Sequence, residues 1–216
     1  MKTLIAIPCM ETVHTDFARS LVDLTRNAPA ETHVCFKKSS LIYDSRNLLS
    51  LTAMDGGYDR ILWLDSDMVF DPNTLLSLHK DMDETGADII TGLYVKRHTP
   101  VLPVLYKTIQ PPSKNENGEI EKRAIDYLDY PPDELFPVAG AGFGCVLMSV
   151  PLLRKMWNEY GPPFSPFVWA GEDISFFYRA NMAEANILCN SRIRLGHVGN
   201  VTFTPDFYEA KRNETR

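Results

Sequence analysis

Apolar residues fall in short runs separated by amphipathic stretches. Thr3-Leu4-Ile5-Ala6-Ile7 is an apolar run ended by Pro8, the pattern of a strand buried on both faces. Thr15 suits the cap of a helix that carries Phe17, Leu21, Val22 and Leu24 and ends before Pro29. Thr32 to Phe36 reads as a second strand, and Leu48, Leu49, Leu51, Thr52 and Met54 suit a helix stopped by Gly56-Gly57. Ile61-Leu62-Trp63-Leu64 is a third buried strand. Pro72 fits the first turn of a helix running towards Gly86, and Ala87 to Tyr94 gives a fourth strand. The alternation predicts an α/β fold, a mostly parallel sheet with helices on both faces. Ligands of such sheets bind beyond the carboxyl ends of the strands, where Pro8, Asp65 and Asp67 fall.

From Pro100 to Pro132 the pattern gives way to proline, polar and charged residues. Asn115-Glu116-Asn117-Gly118 is a turn signal between Leu102–Ile109 and Glu119–Tyr127, so a β-hairpin excursion is expected over about residues 100–130. Phe136 to Val150 is apolar again around Gly140, Gly142 and Gly144. Pro151 opens a helix to about Tyr160, and a proline and aromatic loop runs through Trp169. A helix is expected from near Glu172 to about Ala183. Ile187-Leu188-Cys189 and Ile193–Val198 follow as closing strands, and the charged tail from Glu209 is expected to fray. No repeat or long linker divides the chain, so residues 1–216 are taken as one domain.

Composition narrows the class. Hydrophobic residues make up 44% and charged residues 23% of the 216, as in an ordinary soluble globular protein. The net charge is −6 and no basic block occurs, which argues against a nucleic-acid partner. An anionic substrate would need a metal ion and a few placed cations. The four cysteines are scattered, without zinc or redox spacing, and read as small buried thiols in a reducing compartment. The first apolar run is too short for a signal-peptide core, and none approaches the roughly 20 apolar residues of a transmembrane segment. A cytoplasmic location is expected.

Asp65-Ser66-Asp67 follows a buried strand directly. If the strand continues, the two carboxylates start about 7 Å apart on one side and can converge on an ion. Carboxylate and phosphate oxygens suit Mg²⁺ or Mn²⁺. The same pair also suits a polar strand end that binds nothing.

Leu62-Trp63-Leu64-Asp65-Ser66-Asp67 resembles the strand-borne DxD motif of GT-A glycosyltransferases, and the chain is similar to small bacterial and phage family 2-like members. Four further segments match in order between Leu4 and Gly199. The strand ending at Pro8 resembles the opening nucleotide-binding strand, and Asp44-Ser45-Arg46-Asn47 the segment where an Arg-Asn pair approaches the nucleotide. Ala139-Gly140-Ala141-Gly142-Phe143-Gly144 resembles the glycine-rich stretch beside the donor sugar. Gly171-Glu172-Asp173 resembles the motif that supplies the acceptor-activating base of inverting members. The resemblance implies a GT-A, Rossmann-like fold with a nucleotide-binding half over residues 1–99 and an acceptor half over 133–208. It implies a nucleotide-diphosphate sugar donor, a UDP-sugar before a GDP-sugar, and a hydroxyl acceptor (a glycan, a lipid-linked sugar or a small molecule). It allows a homo-oligomer.

Roles follow from the same resemblance. Asp65, Asp67 and His197 are the candidate metal ligands, with Mn²⁺ or Mg²⁺ as cofactor. Pro8, Arg46, Asp65, Ser66, Gly140, Ala141, Gly142 and Trp169 are candidate donor contacts. Asp173 is the candidate base, with Glu172 binding a sugar hydroxyl or exchanging roles with it. Each has a plainer role: Glu172-Asp173 as an acidic helix start, His197 as a packed strand residue, the glycines as a bend before Cys145-Val146-Leu147-Met148, Trp169 as loop packing, Arg46 as a solvated helix start. Lys96-Arg97-His98 ends the fourth strand on the ligand side, where it could meet phosphate or simply face water. Competing functions are a haloacid-dehalogenase-like phosphatase, with Asp65 as nucleophile, a sugar-nucleotide nucleotidyltransferase, and a non-catalytic sugar- or nucleotide-binding module.

Overall fold

Alternate residues of the apolar runs feed two separate cores. The computed structural model describes residues 1–199 and 202–214. Its elements are β1 (Thr3–Cys9), α1 (Thr15–Asn27), β2 (Thr32–Lys38), α2 (Ile42–Asp55), β3 (Arg60–Leu64), β4 (Met68–Val69), α3 (Thr74–Thr85) and β5 (Ile89–Leu93). Then come β6 (Leu105–Lys114), β7 (Ile120–Asp126), β8 (Leu135–Pro137), β9 (Gly140–Ala141), β10 (Cys145–Ser149), α4 (Val150–Tyr160) and α5 (Glu172–Met182). The chain closes with β11 (Ile187–Arg194), β12 (Gly196–Val198), β13 (Thr202–Phe203) and α6 (Pro205–Glu214).

Leu4 and Ala6 of β1, Ile61 and Trp63 of β3 and Val146 and Met148 of β10 face one core, which α2, α4 and α5 cover. Ile5 and Ile7, Leu62 and Leu64, and Cys145 and Leu147 face the other, covered by α1 and α3. Coverage on both faces explains why these strands are continuous apolar runs. α1 lays Phe17, Leu21 and Leu24 on the sheet at helical spacing. α3 stops at Gly86, whose φ of 65° suits glycine.

The main sheet runs β2-β1-β3-β10-β5-β11-β8. β2, β1 and β3 pair in parallel, as do β5 and β11. β10 is antiparallel to both β3 and β5, and β8 is antiparallel to β11. The sheet is therefore mixed, not mostly parallel as the strand–helix alternation predicts. β10 is the cause: it enters from a glycine-rich loop without a crossover helix, and its apolar residues fill the slot between β3 and β5 from the opposite direction.

Two small sheets complete the fold. β6 and β7 form an antiparallel hairpin over the expected excursion, and β6 also pairs with β9. β4 pairs with β12, and β12 with β13. The two expected closing strands are instead one bulged strand, β11, followed by β12 in the other sheet.

The tail beyond Glu209 is an anchored helix through Glu214, not a frayed end. Arg194 Nη1 and Tyr130 Oη both donate to Glu209 Oε1, at 2.8 and 3.0 Å. All four cysteines are free; Cys145 and Cys189 are buried, whereas Cys9 and Cys35 are only half-buried. Among the described residues no helix is long and apolar enough to cross a membrane.

A buried polar network ties β1 and β3 to α3. Arg60 Nη1 donates to His79 Nδ1 at 2.8 Å, so the ring proton sits on Nε2 and points to Thr3 Oγ1 at 3.3 Å. Burial, with the Arg60 guanidinium beside it, pushes His79 down to about 4. Because the folded pKa is depressed below the unfolded value, this stabilisation is complete above about 6.5 and is lost as pH falls towards 4. The expected loss from this group between pH 7 and pH 5 is about 2 kcal/mol. Urea unfolding of wild type and His79→Gln at both pH values checks it; equal pH dependence in the two proteins would refute it.

Candidate active site

β3 stops at Leu64 because the backbone turns. Met68 N–H donates to the Asp65 carbonyl at 3.2 Å, and Asp65 N–H to the carbonyl of Gly144, before β10, at 3.3 Å. Asp65 and Asp67 thus lie on a turn and not on one face of a continuing strand. Each carboxylate finds its own cation.

Asp65 Oδ1 accepts from Arg46 Nη2 at 2.9 Å. Arg46 is not a solvated helix start: it is 3% exposed. Its guanidinium lies 4.6 Å from the centroid of the Phe143 ring, and Nε and Nη1 are buried without a hydrogen-bond partner. The aromatic face offsets part of that desolvation. Arg46 Nη2 also lies 3.8 Å from Glu172 Oε1, which gathers two carboxylates around one buried cation.

Asp67 Oδ2 pairs with Arg97 Nη1 and stands 3.6 Å from His197 Nε2. The register of β4 against β12 sets His197 opposite Met68, and Val198 N–H donates to the Asp67 carbonyl at 2.8 Å. His197 Nδ1 lies 2.9 Å from the Val95 carbonyl. A carbonyl can only accept, so Nδ1 carries a proton and Nε2 is the ring nitrogen that faces Asp67. Tyr94 packs edge-on against this ring.

Glu172 and Asp173 open α5 after Gly171, which has no side chain to cap the helix. Asp173 Oδ1 accepts from Ile174 N–H at 2.7 Å. Burial raises the Asp65 carboxyl above its ordinary range, against the pull of Arg46. Burial would also raise Asp67, but His197 and Arg97 outweigh it and hold this carboxyl low. Glu172 is raised, by burial first, with Arg46 opposing.

One cleft of about 450 Å³ joins Pro8, Arg46, Asp65, Ser66, Asp67, Glu172 and His197. Gly140, Ala141, Gly142, Trp169 and Asp173 are not part of its wall. A Cβ at Gly140 would meet Phe177 at 2.7 Å, and one at Gly142 would strike the Tyr94 hydroxyl. The N–H groups of Gly142 and Gly144 already bond the Val104 carbonyl and Tyr94 Oη. Close packing therefore accounts for these glycines. Trp169 stacks on Phe167, with ring centroids 5.2 Å apart.

Sequence reasoning passed over Cys9, Met10, Ser39, Ser40 and Ile42, which line the same cleft, and gave Arg97 no firm role. Ser39 and Ser40 follow the carboxyl end of β2, so the rule that singles out Pro8 also covers them. Among the described residues no group of three or more His, Cys, Asp or Glu side chains is arranged to hold a metal. Asp67 and His197 are the pair that could do so together with substrate oxygens.

No family model matches the chain, and neither does any curated protein. Solved structures do match. "Crystal Structure of A197 from STIV" superposes with a TM-score of 0.68 at 18% identity, covering 95% of this chain and 91% of that one. "Crystal structure of GalNAc-T7 with UDP, GalNAc and Mn2+" gives 0.59 at 10% identity, covering 92% of this chain and 43% of that one. At such identities the likeness shows the fold alone: a Rossmann-like, GT-A-like α/β architecture.

Removing the Arg46 charge leaves the half-buried Asp65 without its cation. Arg46→Met is expected to cost about 2 to 3 kcal/mol at pH 8, below the usual cost for a fully buried pair because Asp65 keeps some exposure. The cost shrinks towards pH 5 as the raised Asp65 carboxyl takes a proton. Urea unfolding at both pH values tests this, and an equal cost at both would exclude the charge as its cause.

Proposed function

We propose that the protein is a glycosyltransferase that moves a sugar from a nucleotide-diphosphate sugar to a hydroxyl acceptor. The observation that carries this is Asp67 beside His197, a carboxylate oxygen and an imidazole nitrogen 3.6 Å apart. Asp67 and His197 would hold Mn²⁺ or Mg²⁺, and substrate phosphate oxygens and water would have to complete its shell. When bound, the cation neutralises the leaving diphosphate. The fold likeness to GalNAc-T7, solved with UDP, GalNAc and Mn²⁺, supports a uridine diphosphate donor, with GDP as the alternative.

The chain's own residues divide the remaining work. Arg46 holds Asp65 in the floor of the cleft, where its carboxylate is set to meet the ribose. Glu172 is engaged by Arg46 and contributes to sugar binding. Asp173 follows Glu172 at the start of α5, outside the cleft wall, and keeps one carboxylate oxygen without a protein partner among the described residues; in this reading the acceptor hydroxyl approaches from that side and gives this oxygen its proton. A base on the acceptor side, opposite the leaving diphosphate, corresponds to inversion.

UDP or GDP at about one hundred times its Kd, with Mn²⁺, is expected to stabilise the protein by about 2.7 kcal/mol, or roughly 5 to 10 °C. Thermal unfolding should show the shift in wild type and lose it in Asp67→Ala. If no nucleotide shifts the transition with either metal, the transferase assignment falls. Asp173→Asn should lower donor turnover about 100-fold or more while keeping the nucleotide shift. Unchanged turnover, with loss in Glu172→Gln instead, would move the base role to Glu172.

A further inference from the structure

Arg97 is bound to the oxygen that the proposed cation needs. Its Nη1 donates to Asp67 Oδ2 and, at 3.2 Å, to the Val198 carbonyl. Asp67 Oδ2 is also the atom that faces His197 Nε2. A guanidinium and a divalent cation cannot both hold this oxygen without strong mutual repulsion. The two arginines of the cleft differ in freedom. The Arg46 side chain is 4% exposed and packed on Phe143, whereas the Arg97 side chain is 50% exposed and can turn at little cost.

Resting on the glycosyltransferase assignment, we propose that Arg97 is an exchangeable donor-positioning residue. In the empty cleft it holds Asp67 in place beside His197. On loading it leaves Asp67 and turns to the phosphate oxygens of the donor, which its planar fork of N–H groups matches. Arg97 already lines the same cleft, so the move is a side-chain rotation within one cavity. The exchange makes Arg97 a competitor of the metal alone and a partner of the metal together with a diphosphate. The two ligands are thereby coupled: each binds better when the other is present.

The test is a pair of titrations on the full chain, with Mn²⁺ alone and with UDP at saturating Mn²⁺, followed by calorimetry or by the Mn²⁺ paramagnetic signal. Arg97→Ala should bind Mn²⁺ alone about three- to fivefold more tightly than wild type, because the competing cation is gone. The same variant should bind UDP about tenfold more weakly in the presence of Mn²⁺. Arg97→Lys keeps the charge without the fork and should restore the competition with Mn²⁺ but not the full UDP affinity.

Unchanged Mn²⁺ affinity in Arg97→Ala, with binding still lost in Asp67→Ala, would overturn the exchange and leave the glycosyltransferase assignment standing. Weakening of both titrations would make Arg97 a structural prop and would also overturn the exchange. Wild type that binds no Mn²⁺ through Asp67, with or without nucleotide, would overturn both.

Discussion

The cleft depends on a cation kept out of water. Arg46 is fixed between aromatic rings on one side and the carboxylates of Asp65 and Glu172 on the other. Those carboxylates come from elements far apart in sequence, the turn after β3 and the start of α5. Like charges would drive them apart in a partly desolvated site; the guanidinium makes their approach favourable. A buried ion pair of this kind adds little net stability. Its effect is to specify where α2, the Asp65 turn and α5 meet, and hence the shape of the floor.

The mixed sheet supports the same arrangement. β10 lies antiparallel between β3 and β5, so the loop before it arrives at the carboxyl end of β3. There Gly144 accepts from Asp65 N–H and gives its own N–H to Tyr94. Phe143 enters the aromatic group beneath Arg46, and Tyr94 packs against His197. A strand placed in the other direction would carry this loop to the opposite end of β3. The glycines permit the close approach of Tyr94 and Phe177, which any side chain would block.

Much of this was legible in the sequence. The strand that ends before Asp65 and the hairpin around Gly118 follow from periodicity and turn chemistry, β1 runs one residue past Pro8, and the acidic pairs stood out through the family resemblance. Asp65, Asp67, Arg46, Glu172 and His197 do line one cleft. What remained hidden depends on pairings between distant segments. Nothing local to Cys145-Val146-Leu147-Met148 states its direction, because a strand buried on both faces reads alike either way. The turn at Asp65–Met68 is likewise set by Gly144 and Val198, not by a local glycine or proline. Arg97 gave only a weak signal, a basic residue on the ligand side of a strand end, because its meaning comes from the β4–β12 contact that carries Asp67 to it.

That contact also sets when the cleft becomes complete. Met68 and Val69 pair with His197 and Gly196, from segments far apart in the chain. Everything else in the cleft wall lies before α5 or at its first residue. In a chain made from its N-terminus, the ribbon that delivers His197 must close a long loop onto β4 after the rest of the cleft wall has been made. A growing chain has the floor without the final donor atom. The pairing of Asp67 with His197 therefore ripens last, so order of synthesis separates the moment the cleft takes shape from the moment its wall is complete.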